Sequence, residues 1–170
     1  MTEQKEELQQ QDITTELVET AEETTDITNI TDEITLQTLL KSYSPFKEQT
    51  TSIDVSTITG KMKLYNGLTS ADCLVKDCLG EVIELKDFIV SPYVFKNKDT
   101  NELYVKYRTL LISAAGKSYI STSTKFATSL ANIFDIFGQP NLWEKPLKLK
   151  FVNRPASVAG HQYLDIKIVG

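Results

Sequence analysis

Histidine and tryptophan each occur once in the 170 residues, cysteine occurs twice, and glycine is absent before Gly60. A lone histidine, His161, cannot supply a His-rich zinc site, and Cys73 and Cys78 cannot form a disulfide scaffold. Their spacing of five is wrong for a CxxC pair, so they read as small, partly buried hydrophobes in a reducing cytoplasm. No apolar run approaches the ~20 residues of a membrane-spanning helix, and the first residues lack the basic-then-apolar order of a secretory signal. Also missing are a GxxxxGK[ST] phosphate loop, a GxSxG elbow and a paired acidic motif for two-metal chemistry. The expectation is a soluble cytoplasmic protein that is no enzyme and takes no metal or cofactor.

Bases are missing from one end of the chain. Residues 1–40 hold eleven acids and a single base, Lys5, so this stretch carries −10 while the rest carries +5. The overall −5 therefore misdescribes the part that folds. Residues 1–60 are also poor in apolar side chains and rich in runs such as Gln9-Gln10-Gln11 and Thr24-Thr25. Too little surface can be buried there to offset the entropy of ordering. This segment is read as a mostly disordered acidic tail, with a short helix allowed over Asp32 to Ser42. It is either a solvated tail, an anion competing for a basic groove, or a segment that recruits partners.

Residues 61–170 are read as one folded domain. Ala71 to Leu79 suggests a short helix stopped by Gly80. Period-two patterning then sets in: a strand from Glu81 to Val90, with Tyr93-Val94-Phe95 beyond Pro92, and a polar turn over Lys96 to Glu102. A second strand follows from Leu103 to Ser113, and a third from Lys117 to Ser121 after the Ala115-Gly116 turn. Phe126, Leu130, Ile133, Phe134 and Phe137 mark one face of a helix, capped by Ser123 or Thr124 and ended by Gly138 and Pro140. Two alternating strands close the chain, around Leu147–Val152 and Tyr163–Ile168, joined by a loop from Asn153 to His161. The expected class is mainly β: a five-stranded OB-fold barrel with one helix between strands three and four, preceded by the acidic segment.

A small barrel fills its interior with one side of each strand and shows the other to solvent. That assigns Tyr104, Lys106 and Arg108 to the outer face of the second strand, and Lys117 and Tyr119 to that of the third. Lys148 and Lys150 come from the fourth strand, Tyr163 and Lys167 from the fifth, and Arg154 from the last loop. Cations follow phosphates and flat rings stack on unpaired bases, so this mixture suits single-stranded nucleic acid with little sequence preference. A duplex reader needs polar side chains on a helix, and the clear helix here is apolar. Each residue also has a plainer reading: a lysine merely solvated, a tyrosine packed over a barrel end, Arg108 paired with Glu84 or Asp87.

Arg108-Thr109-Leu110-Leu111-Ile112, Gly116-Lys117-Ser118-Tyr119, Ser129-Leu130, Ile136-Phe137-Gly138-Gln139-Pro140, Trp143 and Pro146-Leu147-Lys148-Leu149-Lys150 together carry a resemblance. Across residues 62–170 the chain resembles the small single-stranded DNA-binding proteins of phages and conjugative plasmids of Gram-positive bacteria. The resemblance implies an OB fold, cooperative coating of single-stranded DNA, and a role in replication, recombination or transfer of a mobile element. It departs from the familiar bacterial single-strand binder in carrying its acidic segment first rather than last, so partner recruitment is expected at the N-terminal end. Two other readings stay open: an OB-like protein-interaction module in a replication or conjugation complex, and a small nuclease accessory subunit. A homo-oligomer or cooperative assembly on DNA fits the first reading.

Overall fold

The computed structural model describes residues 45–170; the helix expected over Asp32 to Ser42 and most of the acidic tail lie outside the described residues. Residues 45–60, assigned above to the tail, take part in the fold. Phe46 and Ile53 are buried. Strand β1 (Thr50–Thr51) pairs with Val90 and Ile89, and helix α1 (Ile58–Thr69) spans the expected boundary at residue 61. Thr57 caps α1, its Oγ1 accepting from the Gly60 N–H at 3.0 Å, which satisfies a donor that would otherwise lack a partner.

This helix replaces the one expected over Ala71 to Leu79. That stretch instead forms β2 (Cys73–Leu74) and a single 3-10 turn over Val75–Asp77. Cys73 and Cys78 are joined as a disulfide across the turn, with Cα atoms 6.8 Å apart, which corrects their reading as free thiols. Two glycines let α1 lie where it does. A Cβ on Gly60 would meet the Asp54 carbonyl oxygen, and one on Gly67 would meet the Leu110 side chain, so the helix comes closer to the sheet than any other residue there allows.

The remaining elements are β3 (Val82–Lys96), β4 (Leu103–Ser113), β5 (Ser118–Ser121), α2 (Thr124–Phe137), a 3-10 turn over Pro140–Leu142, β6 (Lys148–Pro155) and β7 (Gln162–Val169). They form a curled, mixed sheet in the order β2-β5-β4-β3-β6-β7. All ladders are antiparallel except β2 with β5. β3 is the spine: Val82 to Glu84 pair with β6, and from Leu85 onward it pairs with β4, with a register shift between Leu85 and Asp87. The mainly β architecture holds, but with seven strands and two helices among the described residues in place of five strands and one helix. The ring does not close, because no ladder among the described residues joins β5 to β7. A half-barrel replaces the closed cylinder.

Beyond Val90, β3 has β4 on one side and, among the described residues, no ladder on the other, so Pro92, which lacks an N–H, fits without ending the strand. The strand therefore runs on through Tyr93 and Phe95. The β3–β4 turn is held by Asn97, whose Oδ1 accepts from the Asp99 N–H at 2.8 Å, and Asn101 adopts φ 56°.

Apolar side chains form two layers, one on each face of the sheet. The main core joins Phe88, Leu111, Tyr119, Leu149 and Phe151 to the buried face of α2, where Phe126 and Leu130 lie fully covered. Each such side chain contributes about 1.5–3 kcal/mol through burial. A smaller layer of Ile53, Ile89, Leu110 and Ile112 lies beneath Leu64 and Leu68 of α1 on the opposite face. Ser123 caps α2, accepting from the Phe126 N–H, and Gly138 at φ 74° ends it.

Candidate nucleic-acid interface

Strand parity and cross-strand register decide which polar side chains meet. On β4, Leu110 and Ile112 sit under α1, and the same face continues past the end of the helix as Arg108, Lys106 and Tyr104. Their partners on β3 are Ser91, Tyr93 and Phe95. Paired residues in a ladder project to the same side. The outer half of the β3–β4 hairpin thus presents three rings and two cations together. Lys106 Nζ stands 3.6 Å from the centre of the Phe95 ring, a cation–π contact. The Tyr104 hydroxyl donates to the Glu102 carboxylate, which holds the phenol above its ordinary value and keeps the ring neutral. Arg108 has no carboxylate partner among the described residues: of its two expected partners, Asp87 is taken by Lys63 at 3.0 Å and Glu84 stands opposite Lys148 in the β3–β6 ladder.

The third strand is turned over relative to expectation. Tyr119 pairs with Leu111 and therefore faces the main core, where it is 2% exposed and meets the Phe151 ring edge-on at 5.2 Å. Its hydroxyl donates to Glu81, and burial first, then the Glu81 carboxylate, push the phenol well above its ordinary value. Glu81 also accepts from Lys117 Nζ at 3.0 Å, and the Tyr119 hydrogen bond holds this carboxyl below its ordinary value. Tyr119 is therefore no stacking platform, and Lys117 is bound to an acid rather than held ready for phosphate.

The fourth and fifth strands form a second basic area. Leu149 and Phe151 point into the core, leaving Lys148 and Lys150 on the other side, as the alternation predicts. Lys150 stands directly opposite Lys167 of β7. Like charges facing each other across a ladder repel, so this pair concentrates positive charge at one place on the sheet. Arg154 lies on β6 rather than in the loop, and its guanidinium is ion-paired with Asp165, which corrects its assignment as a loop cation. Tyr163 is its half-buried cross-strand neighbour.

The two basic areas share the side of the sheet away from the main core. Between them on β3 lie Asp87, paired with Lys63, and Ile89 under α1. From Glu84 to Ser91 the strand covers roughly 20 Å at ~3.3 Å per residue. The continuous track expected from Tyr104 and Arg108 through Tyr119 to Lys148 is therefore divided, with α1 standing over the gap.

A family model described as phage single-stranded DNA-binding protein matches residues 45–169. The chain belongs to that family. No curated protein and no solved structure matches it. The matched span begins at Pro45, in agreement with the folded residues and sixteen residues earlier than the sequence boundary. Membership in this family implies binding of single-stranded DNA. Among the described residues, no His, Cys, Asp or Glu group could hold a metal ion, and no helix is long and apolar enough to cross a membrane.

Sequence reasoning left Tyr93 and Phe95 off the site. Their signal was an alternation that passes through Pro92 in step with Tyr104 and Lys106. The segment was read as continuing beyond the proline, but the side its rings take was not assigned.

Proposed function

We propose that this phage protein binds single-stranded DNA without catalysis and with little sequence preference. In this reading Phe95 and Tyr104 stack on unpaired bases, supported by Tyr93, while Lys106 and Arg108 neutralise the adjacent phosphates. Lys148, Lys150 and Lys167 take up phosphates of the same strand further on. The observation that carries the reading is the co-facial set of rings and cations on the outer half of the β3–β4 hairpin, where Arg108 has no acid partner among the described residues. Stacking is worth about 1–3 kcal/mol per base and tolerates any base, because every base has a flat face. The process served is replication or recombination of the phage genome. The acidic N-terminal stretch, at −10, competes with DNA for these cations or recruits replication proteins.

Titration of labelled oligo-dT, oligo-rU and a duplex at two salt concentrations tests the proposal. Binding to oligo-dT should weaken with salt at a slope of about −0.7 per phosphate contacted, and the duplex should bind far less tightly. Equal affinity for duplex and single strand, or no salt-sensitive binding at micromolar protein, would refute it. If the acidic stretch competes, removing residues 1–40 tightens binding most at low salt, where charges act over the longest range.

A further inference from the structure

Helix α1 stands over the stretch that separates the two basic areas, and its outer surface is not that of a merely solvated helix. Ile58, Met62 and Tyr65, at successive helical turns, are 78%, 59% and 68% exposed. Lys61 and Lys63 are exposed beside them, and the helix contains no acid. Single exposed hydrophobes are ordinary, but a contiguous group on a helix marks a contact surface. Lysines without acids around that group favour an anionic occupant.

The packing of α1 assigns its two flanks. The helix crosses β4 at Leu110, against which Gly67 lies. Lys63 is paired with Asp87, the cross-strand partner of Ile112, and together with Asn66 and Ser70 it lines a cavity shared with Ile112, Ser113 and Lys86. That flank faces the end of β4 leading to the β4–β5 turn. Lys61 and Tyr65, each two residues from Lys63, are about 160° round the helix from it. They project the other way along β4, toward Arg108, which is two residues or ~7 Å beyond Leu110. On the Lys63 side, Lys86 at the register shift is followed back along β3 by Glu84, which stands opposite Lys148. Neither Lys61 nor Lys86 has an ion-pair partner among the described residues.

We propose that the bound strand passes over α1, with Tyr65 and Lys61 as further DNA-binding residues. The Tyr65 ring stacks on a base, Met62 adds apolar surface beside it, and Lys61 neutralises a phosphate arriving from Arg108. Lys86 takes up a phosphate on the far side of the helix, before Lys148. The helix is then the bridge between the two basic areas rather than a barrier. A nucleic-acid strand is favoured over a protein partner because the lysines of α1 continue the cations on either side of it. The inference rests on the reading of the hairpin as the DNA site.

Photocrosslinking of the full chain to oligo-dT in which single thymines are replaced by iodouracil, followed by peptide mapping, tests the path directly, because an excited iodouracil joins to an aromatic ring stacked on it. Crosslinks are expected at Tyr65 as well as at the hairpin rings. Tyr65→Ala should weaken oligo-dT binding roughly five- to 150-fold, while Tyr65→Phe, which keeps the ring, should bind as the wild type does. Lys61→Gln should lower the salt slope by about 0.7. Met62→Glu places an acid on the same surface and should also weaken binding, which keeps the test open if Tyr65→Ala melts below the wild type. Unchanged binding by Tyr65→Ala and Met62→Glu, with crosslinks confined to the hairpin, would overturn the proposal, leave the hairpin reading standing and turn α1 into a surface for a protein partner. Equal losses in Tyr65→Ala and Tyr65→Phe would overturn the stacking role. A wild type that does not bind oligo-dT would overturn the hairpin reading and this inference with it.

Discussion

Two tyrosine–lysine pairs sit at opposite ends of β4 and have opposite fates. Near the β4–β5 turn, Tyr119 is sealed in the core and Lys117 is bound to Glu81, the same carboxylate that accepts the Tyr119 hydroxyl. On the outer half of the β3–β4 hairpin, Tyr104 is exposed and Lys106 lies over an aromatic ring, with no acid attached among the described residues. Composition alone does not separate them. Register does: Tyr119 stands opposite Leu111, on the core side, whereas Tyr104 stands opposite Phe95, on the α1 side of the sheet but beyond the helix. The two cations differ because Glu81 lies beside one of them and, among the described residues, no acid pairs with the other.

Substitution at the two tyrosines should separate stability from binding. Tyr119→Ala removes a buried ring and should cost about 3–5 kcal/mol in denaturant unfolding. Tyr104→Ala should leave unfolding nearly unchanged while weakening oligo-dT binding by ~1–3 kcal/mol, roughly five- to 150-fold. Comparable stability losses for the two variants would erase the distinction. Gly67→Ala probes the cover over the gap between the basic areas. Crowding against Leu110 should destabilise the fold by about 1–3 kcal/mol without changing the salt slope of binding.

A smaller effect is expected from pH. Hydrogen bonds from Ser118 to Asp72 and from Tyr119 to Glu81 hold both carboxyls below their ordinary values. A depressed carboxyl contributes stability that is fully present above its unfolded value and is lost as pH falls through the folded one. The raised Tyr119 phenol acts with the opposite sense: its contribution is complete below the ordinary tyrosine value and declines as pH rises past it. Thermal melts should therefore fall on both sides of a neutral plateau. The alkaline fall attributable to Tyr119 should disappear in Tyr119→Phe, whereas its persistence would detach the phenol from that behaviour.

Much of the fold was legible in the chain. Alternation at Leu149 and Phe151 located the core face of β6, and the Phe126–Leu130–Ile133 stripe located α2. Helix α1 was not legible, because Gly60, Asn66 and Gly67 are poor helix formers and because the helix is apolar on both sides, which removes the one-sided stripe that marks a surface helix. The cap at Thr57 was the one local signal for it. At the site, Tyr104, Lys106 and Arg108 were placed together correctly, since one strand's parity suffices. Tyr119 was misplaced because the parity of a four-residue strand depends on its partner's register, which the sequence does not display. Arg154 and Lys117 were read as available cations because their acids, Asp165 and Glu81, lie eleven and thirty-six residues away in sequence.

Matched charge removal at two cations tests the account most directly. Arg108→Gln and Lys117→Gln are compared by oligo-dT anisotropy across a salt series. The account predicts that Arg108→Gln weakens binding and lowers the salt slope by about 0.7, the loss of one phosphate contact, while Lys117→Gln retains the wild-type slope. Equal losses for the two variants, or a loss confined to Lys117→Gln, would contradict it.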